Sequence, residues 1–257
     1  MANDFTGDEN CVALWSFDVD ALTTDSIGGN TLTDVNNCNV DDVDYKEGDQ
    51  SVDFDRSAPQ EYLKITNANL DTGFPLKSEG TGTFSITFWV KFNGVDSGYV
   101  ISKLVSGEIT IGFDINNGVL YVSHGYNNGD SLESDSYGTN LVTGRWYHIG
   151  YTYNNSTKDY LMRIWDDTAG DFLDSDLTGT WTNNIYLGTA DFHISGRSGE
   201  AYGLWGHEDE VVVFKDILTT DEIDEIRQGT YSTAPPPGVA TRLIYQTDGL
   251  NWVIHEQ

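Results

Sequence analysis

Nine residues, Phe84-Ser-Ile-Thr-Phe-Trp-Val-Lys-Phe92, constrain this chain more than any other stretch. Phe84, Ile86, Phe88, Val90 and Phe92 fall on one side, and Ser85, Thr87, Trp89 and Lys91 on the other. Period-two alternation over aromatic and branched residues is the pattern of a long strand with one buried face. Such a face needs a second sheet against it. Trp146 to Tyr153 supplies a matching run, with Tyr147, Ile149, Tyr151 and Tyr153 on one side, and Leu161–Trp165, Asn184–Leu187 and Glu210–Phe214 continue the series. Strands separated by Gly, Asn, Asp and Ser clusters predict an all-β, antiparallel two-sheet sandwich whose inner faces interdigitate.

Further short strands are expected at 12–18, 52–54, 62–65, 100–103, 109–115 and 119–123, with Asn116-Asn-Gly118 as a hairpin turn. The segments 125–144 and 166–182 read as polar loops, the second carrying Asp166, Asp167, Asp171, Asp174 and Asp176 before Trp181. One short helix is marked at Leu218–Gly229: Thr219 and Glu222 make a capping box, Leu218 staples onto Ile223, and Arg227 and Gly229 suit the C-terminal end. Residues 1–231 therefore read as one sandwich unit. Residues 232–238 form a stiff Pro-rich linker, and 239–257 hold a β-hairpin tail about Asp248-Gly249. A lone hairpin is marginal in water. Leu243, Tyr245, Trp252 and Ile254 are accordingly expected to dock, on this chain's own sandwich or on a neighbouring subunit as an assembly segment.

Acidic residues outnumber basic ones by 41 to 13, for a formal net charge of −28. That field repels phosphate backbones and anionic lipid, which argues against nucleic acid as a partner. It suits solubility, a saline habitat or divalent cations. No segment is long enough to predict membrane insertion, and the first ten residues show no signal peptide. Cys11 and Cys38 are either two buried thiols or a disulfide worth about 3 kcal/mol.

The order Leu14-Trp-Ser-Phe-Asp18, Thr24–Asn30, Ser51–Asp55, Phe84–Phe92, Gly144–Ile149 and Asp209–Phe214 with its following helix resembles the laminin G-like, concanavalin A-like lectin/glucanase jelly rolls over roughly residues 11–230. The resemblance implies a structural Ca2+ at one edge, and the matching positions are Asp18, Asp25, Asn30 and Asp209. Oxygen donors of this kind suit calcium. The alternative is that Asp25, Gly28 and Asn30 are turn residues. The glucanase signature, two glutamates flanking an aspartate on one strand, is only begun by Glu133-Ser-Asp135, where Tyr137 and Gly138 replace the second glutamate. Glu222-Ile-Asp224 lies on the helix. Glycoside hydrolysis needs two carboxyls fixed across the substrate, and none are so placed. His148 and Tyr151, the nearest approach to a lyase pair, point to opposite faces of one strand, and His124, His193 and His207 are scattered.

No catalytic residue is assigned, and the expected function is that of a non-catalytic surface or assembly module. Its nearest setting is a structural or decoration protein of a phage virion, head or tail, with other copies or other structural proteins as partners and host or environmental glycans as ligands. The competing expectation is a secreted bacterial carbohydrate-binding module, with Tyr202, Trp205 and Trp181 as stacking platforms. Polysaccharide lyase or glycoside hydrolase activity is the remote third.

Overall fold

The computed structural model describes residues 3–57, 59–138, 140–198 and 202–232, together with the backbone of 243–247 and 251–255. In chain order its first strands are β1 (Cys11–Trp15), β2 (Thr33–Val35), β3 (Asn39–Asp41), β4 (Ser51–Phe54), β5 (Tyr62–Ile65), β6 (Phe84–Phe92), β7 (Ser97–Val105), β8 (Glu108–Asn116) and β9 (Val119–Tyr126). There follow β10 (Ser131–Ser136), β11 (Trp146–Tyr153), β12 (Asp159–Asp166), β13 (Asp171–Phe172), β14 (Leu177–Thr180), β15 (Phe192–Ile194) and β16 (Gly206–Phe214), then helix α1 (Thr220–Arg227) and strands β17 (Leu243–Thr247) and β18 (Asn251–His255).

One sheet runs β13-β12-β11-β6-β16-β4-β3, with β1 also on β16 and β14 also on β12; the other runs β10-β9-β8-β7-β15-β5-β2. The neighbours in both are antiparallel. The fold is thus an all-β, two-sheet jelly-roll sandwich with one short helix. The alternating apolar face of β6 sits at its centre: Phe84, Ile86, Phe88, Val90 and Phe92 are fully buried. Phe88 meets Phe113 of the facing sheet edge-on at 5.8 Å, and Phe113 meets Tyr151 at 5.3 Å. Five such side chains, each worth about 1.5–3 kcal/mol when buried, make this strand the main sheet-to-sheet contact.

The structure corrects the expectation that only one face of β6 is buried. Ser85, Thr87 and Trp89 are buried as well. A second, smaller core of Phe5, Cys11, Val212, Phe214, Leu218, Ile223, Ile226 and Tyr231 lies on the outer side of the nine-stranded sheet. Helix α1 closes it. Thr219 accepts from the backbone N–H of Glu222 while the Glu222 carboxylate accepts from that of Thr219, the reciprocal box read from the sequence. Gly150 of β11 lies beneath the helix, where a Cβ would stand 2.5 Å from Ile223.

Other differences have local causes. The segment 184–187 is not a strand: the backbone N–H of Ile185 donates to the Tyr153 hydroxyl, and the Asn184 amide donates to the carbonyl of Asn155. The loops at 125–144 and 166–182 hold β10, and β13 and β14, which pair at sheet edges. Asn117 and Gly118 take the left-handed conformation required of a tight hairpin turn. Cys11 and Cys38 are both free and buried, and burial pushes the Cys11 thiol up to about 12. At the C-terminus β17 and β18 pair antiparallel from Leu243–His255 to Thr247–Asn251. Asp248 and Gly249, the linker from 233, and the side chains of Leu243, Tyr245, Trp252 and Ile254 lie outside the described residues.

Candidate functional site

A pocket of about 170 Å³ opens on the outer face of the seven-stranded sheet, lined by Ser97, Gly98, Tyr99, Asp114, Ile115, Asn116, Arg197 and Tyr202. Strand alternation builds its floor. Phe113 and Ile115 of β8 point into the core, so Asp114 points out, opposite Tyr99 of β7 and Tyr121 of β9 in register. Gly112 lets the Tyr99 ring lie along the sheet, since a Cβ there would stand 3.2 Å from its edge.

The wall is the stretch from Tyr202 to Trp205, held against the sheet by its backbone. Tyr202 accepts from the N–H of Tyr99 at 2.8 Å, Gly203 donates to the Gln60 side chain at 3.1 Å, and Leu204 donates to the Ser195 hydroxyl at 3.0 Å. Leu204 is anchored in the core, whereas Tyr202 and Trp205 are each 46% exposed. Gly98 and Gly94 allow the close approach: a Cβ would meet the Gly203 carbonyl at 2.6 Å in one case and the Trp205 ring at 2.4 Å in the other. Exposed aromatics on a fixed backbone are what a stacking platform needs.

Arg197 completes the pocket. Its guanidinium lies 5.3 Å from the centre of the Tyr99 ring and 5.0 Å from that of Tyr202, and it donates to the Tyr99 hydroxyl at 3.5 Å. Burial pushes the Asp114 carboxyl up to about 6, against the pull of Arg197.

Trp181, the third expected platform, lies elsewhere. It is 7% exposed, stacked on Tyr160 at 4.4 Å and beside His124 at 5.0 Å, and belongs to the core. The carboxylates of β10 face inward to the same cluster. Glu133 accepts from the N–H of Thr182 at 2.9 Å and from the Asn183 amide at 2.7 Å, and Asp135 accepts from the Tyr160 hydroxyl. Burial holds His124 down at about 4. His148 packs on Trp89 on the outer face while Tyr151 sits in the core, so that pair never shares a side.

The four expected calcium positions separate into two groups. Asp25 is spent on the backbone: one oxygen accepts from Leu14, Ile27 and Gly28, the other from Asn30, whose own amide ties Val12 to Asp71. Asp209 accepts from the N–H groups of Lys46, Glu47 and Glu210, and Asp18 from that of Asp49. Burial, with Asp18 nearby, pushes Asp209 up to about 8, and burial pushes Glu47 up to about 7. As the side chains stand, no three of His, Cys, Asp or Glu among the described residues are placed to hold a metal ion.

This architecture has a family. The model of the concanavalin A-like lectin/glucanases superfamily matches residues 59–224, and the chain belongs to it. Among solved structures it is similar to the binding domain of paraclostridial mosquitocidal protein 1, with 13% identity, TM-score 0.63, and 85% of this chain and 52% of that one covered. Domain 4 of AbnA, an extracellular arabinanase of Geobacillus stearothermophilus in complex with arabinotriose, aligns at 15% identity and TM-score 0.61 over 85% of this chain and 98% of that one. The binding domain of botulinum neurotoxin DC in complex with SialylT aligns at 13% identity and TM-score 0.61, over 88% and 52%. The chain thus spans about half the length of the toxin domains and nearly all of the arabinanase domain. Comparison with curated protein sequences finds no match.

Proposed function

We propose that this chain is a non-catalytic, lectin-like adhesion module that binds glycan in the pocket between Tyr99, Asp114, Arg197 and Tyr202. The observation that carries the reading is the Tyr202–Trp205 stretch, which holds two aromatics in solvent on a backbone locked to the sheet and to the core. Sugar rings pack apolar faces on such side chains while carboxyl and amide groups take their hydroxyls. Two similar domains were solved with saccharides, arabinotriose and SialylT, which supports the same use here. A hydrolase reading loses its best pair, because Glu133 and Asp135 are turned inward onto protein partners.

The setting we propose is the surface of a particle such as a phage virion, with the β17–β18 hairpin joining the module to further copies or other structural proteins. The rival setting is a secreted carbohydrate-binding module working as a monomer. Calcium enters only as a structural ion at the Asp18–Asp209 corner, near Glu47 and Glu210; as they stand no three of these side chains are placed to hold it, so binding would require them to turn toward the ion. A glycan array tests the function: the wild-type chain retains a defined set of sugars, Tyr202→Ala loses them, and an array without a hit would contradict it. Light scattering on the full chain and on residues 1–231 tests the setting. An oligomer lost with the tail supports assembly, and monomers in both support the secreted module.

A further inference from the structure

Asp114 is the unspent group of this pocket. It is only partly exposed, yet accepts no hydrogen bond from any described residue, and its one electrostatic partner is Arg197. Its oxygens still reach water, but its partial burial disfavours the charge without any donor from the chain in compensation. Carboxylates elsewhere on the same sheet avoid that cost, as Glu133 does with Thr182 and Asn183. Glu208 of β16 also has neither oxygen bonded, but it points into the sandwich core, where it is fully buried opposite Val52 and Val90. Asp114 lies in a pocket, and its two oxygens face a space where a ligand can supply donors.

Three ligand chemistries could answer a carboxylate set among tyrosines. A cationic ligand would come up against the positive charge of the Arg197 guanidinium, which already lies 5.3 Å and 5.0 Å from the Tyr99 and Tyr202 rings. An acidic sugar would bring a second carboxylate beside Asp114, inside a chain of net charge −28. A neutral sugar ring with two adjacent free hydroxyls meets neither obstacle, because it offers a carboxylate two donors and stacks its apolar face on Tyr202.

We infer that Asp114 is the specificity-determining residue of the pocket, and that it selects neutral glycans presenting an adjacent pair of free hydroxyls over sialylated, uronic-acid and amino sugars. This rests on the glycan-binding reading above. The ionised carboxylate is the form that accepts both hydroxyls. Burial places its protonation at about 6, with Tyr99, Tyr121 and Tyr202 beside it and Arg197 as the one charge acting on it among the described residues. Affinity therefore falls as pH drops through that value.

The experiment is a panel of immobilised neutral, uronic-acid, amino and sialylated oligosaccharides, followed by titration of the best neutral binder at pH 7.5, 6.0 and 4.5. Wild type is expected to favour neutral sugars and to lose affinity about tenfold or more by pH 4.5, with circular dichroism confirming that the fold persists. Asp114→Asn is expected to weaken binding about tenfold at pH 7.5 and to flatten the pH profile. Tyr202→Ala should weaken binding while keeping the profile. Preference for charged sugars, an unchanged wild-type affinity at pH 4.5, or an Asp114→Asn variant that binds as wild type overturns the inference while leaving glycan binding intact. A panel on which nothing is retained overturns the underlying reading, and this inference with it.

Discussion

Two acid-and-aromatic clusters belong to the seven-stranded sheet, and they differ in whether their carboxyls are satisfied. At the β9–β10 edge, Glu133, Asp135, His124, Trp181 and Tyr160 face inward, and each carboxylate finds a donor within the chain. On the outer face of β7 and β8, Tyr99, Tyr202 and Asp114 surround a pocket in which the carboxyl accepts nothing from the described residues. Residue types alone do not separate the two. The first cluster is a means of closing the sandwich, and the second keeps bonding capacity for something else.

Substitutions should break that symmetry, beginning with the core. Trp181→Ala removes a ring stacked at 4.4 Å on Tyr160 and should cost about 3–5 kcal/mol in chemical denaturation while leaving the affinity of the folded protein for sugar unchanged. Glu133→Ala strands the donors of Thr182 and Asn183 and should cost about 2–3 kcal/mol, again without a change in affinity. Either variant with wild-type stability would contradict the structural role of the edge cluster.

A pH series sharpens the comparison. His124 is buried neutral, with its protonation depressed from 6.5 to about 4, so the unfolded chain takes up the proton first as pH falls. The stability linked to it is complete above pH 6.5 and is lost between 6.5 and about 4. Over that window the advantage of wild type over His124→Asn should shrink by about 1.4 kcal/mol per pH unit, read from denaturation midpoints. A constant difference would show that His124 is already charged in the folded state. The smallest stability effect belongs to the pocket: Tyr202→Ala should change folding by no more than about 0.5 kcal/mol, because the side chain is half in solvent. Chelation provides an independent check, since a lower Tm in EDTA is expected if calcium holds the Asp18–Asp209 corner, and an unchanged Tm removes the ion from the account.

Much of the fold was legible in the sequence because it depends on local period and local bonds. The alternation of β6 and β11, the Thr219–Glu222 box and the Asn117-Gly118 turn all appear where their patterns place them. Strand β10 was hidden because an edge strand whose inward residues are Glu133 and Asp135 has no apolar alternation to display. The second buried face of β6 was hidden because the segments that cover it come from both ends of the chain.

The site was legible only in part. Tyr202 and Trp205 stand out as aromatics in a Gly-rich stretch, and the structure exposes both. Trp181 looks the same in the sequence, and only its stack on Tyr160 puts it inside. Asp114 reads as an ordinary outward polar residue in Ile109–Ile115, and only strand pairing and the approach of Arg197 bring it beside Tyr99 and a guanidinium. The signal available was a lone carboxylate at an outward position between inward Phe113 and Ile115, and its importance depends on neighbours that are distant in the chain. The calcium positions Asp25 and Asn30 follow the same lesson, since backbone donors consume them.

The most direct measurement is glycan-array binding by wild type and Tyr202→Ala at equal folded concentration. Retention of a defined set of sugars by wild type, with loss in the variant and no change in its Tm, is the result this account predicts. An array on which wild type retains nothing, or on which both proteins bind alike, would contradict the assignment of the pocket.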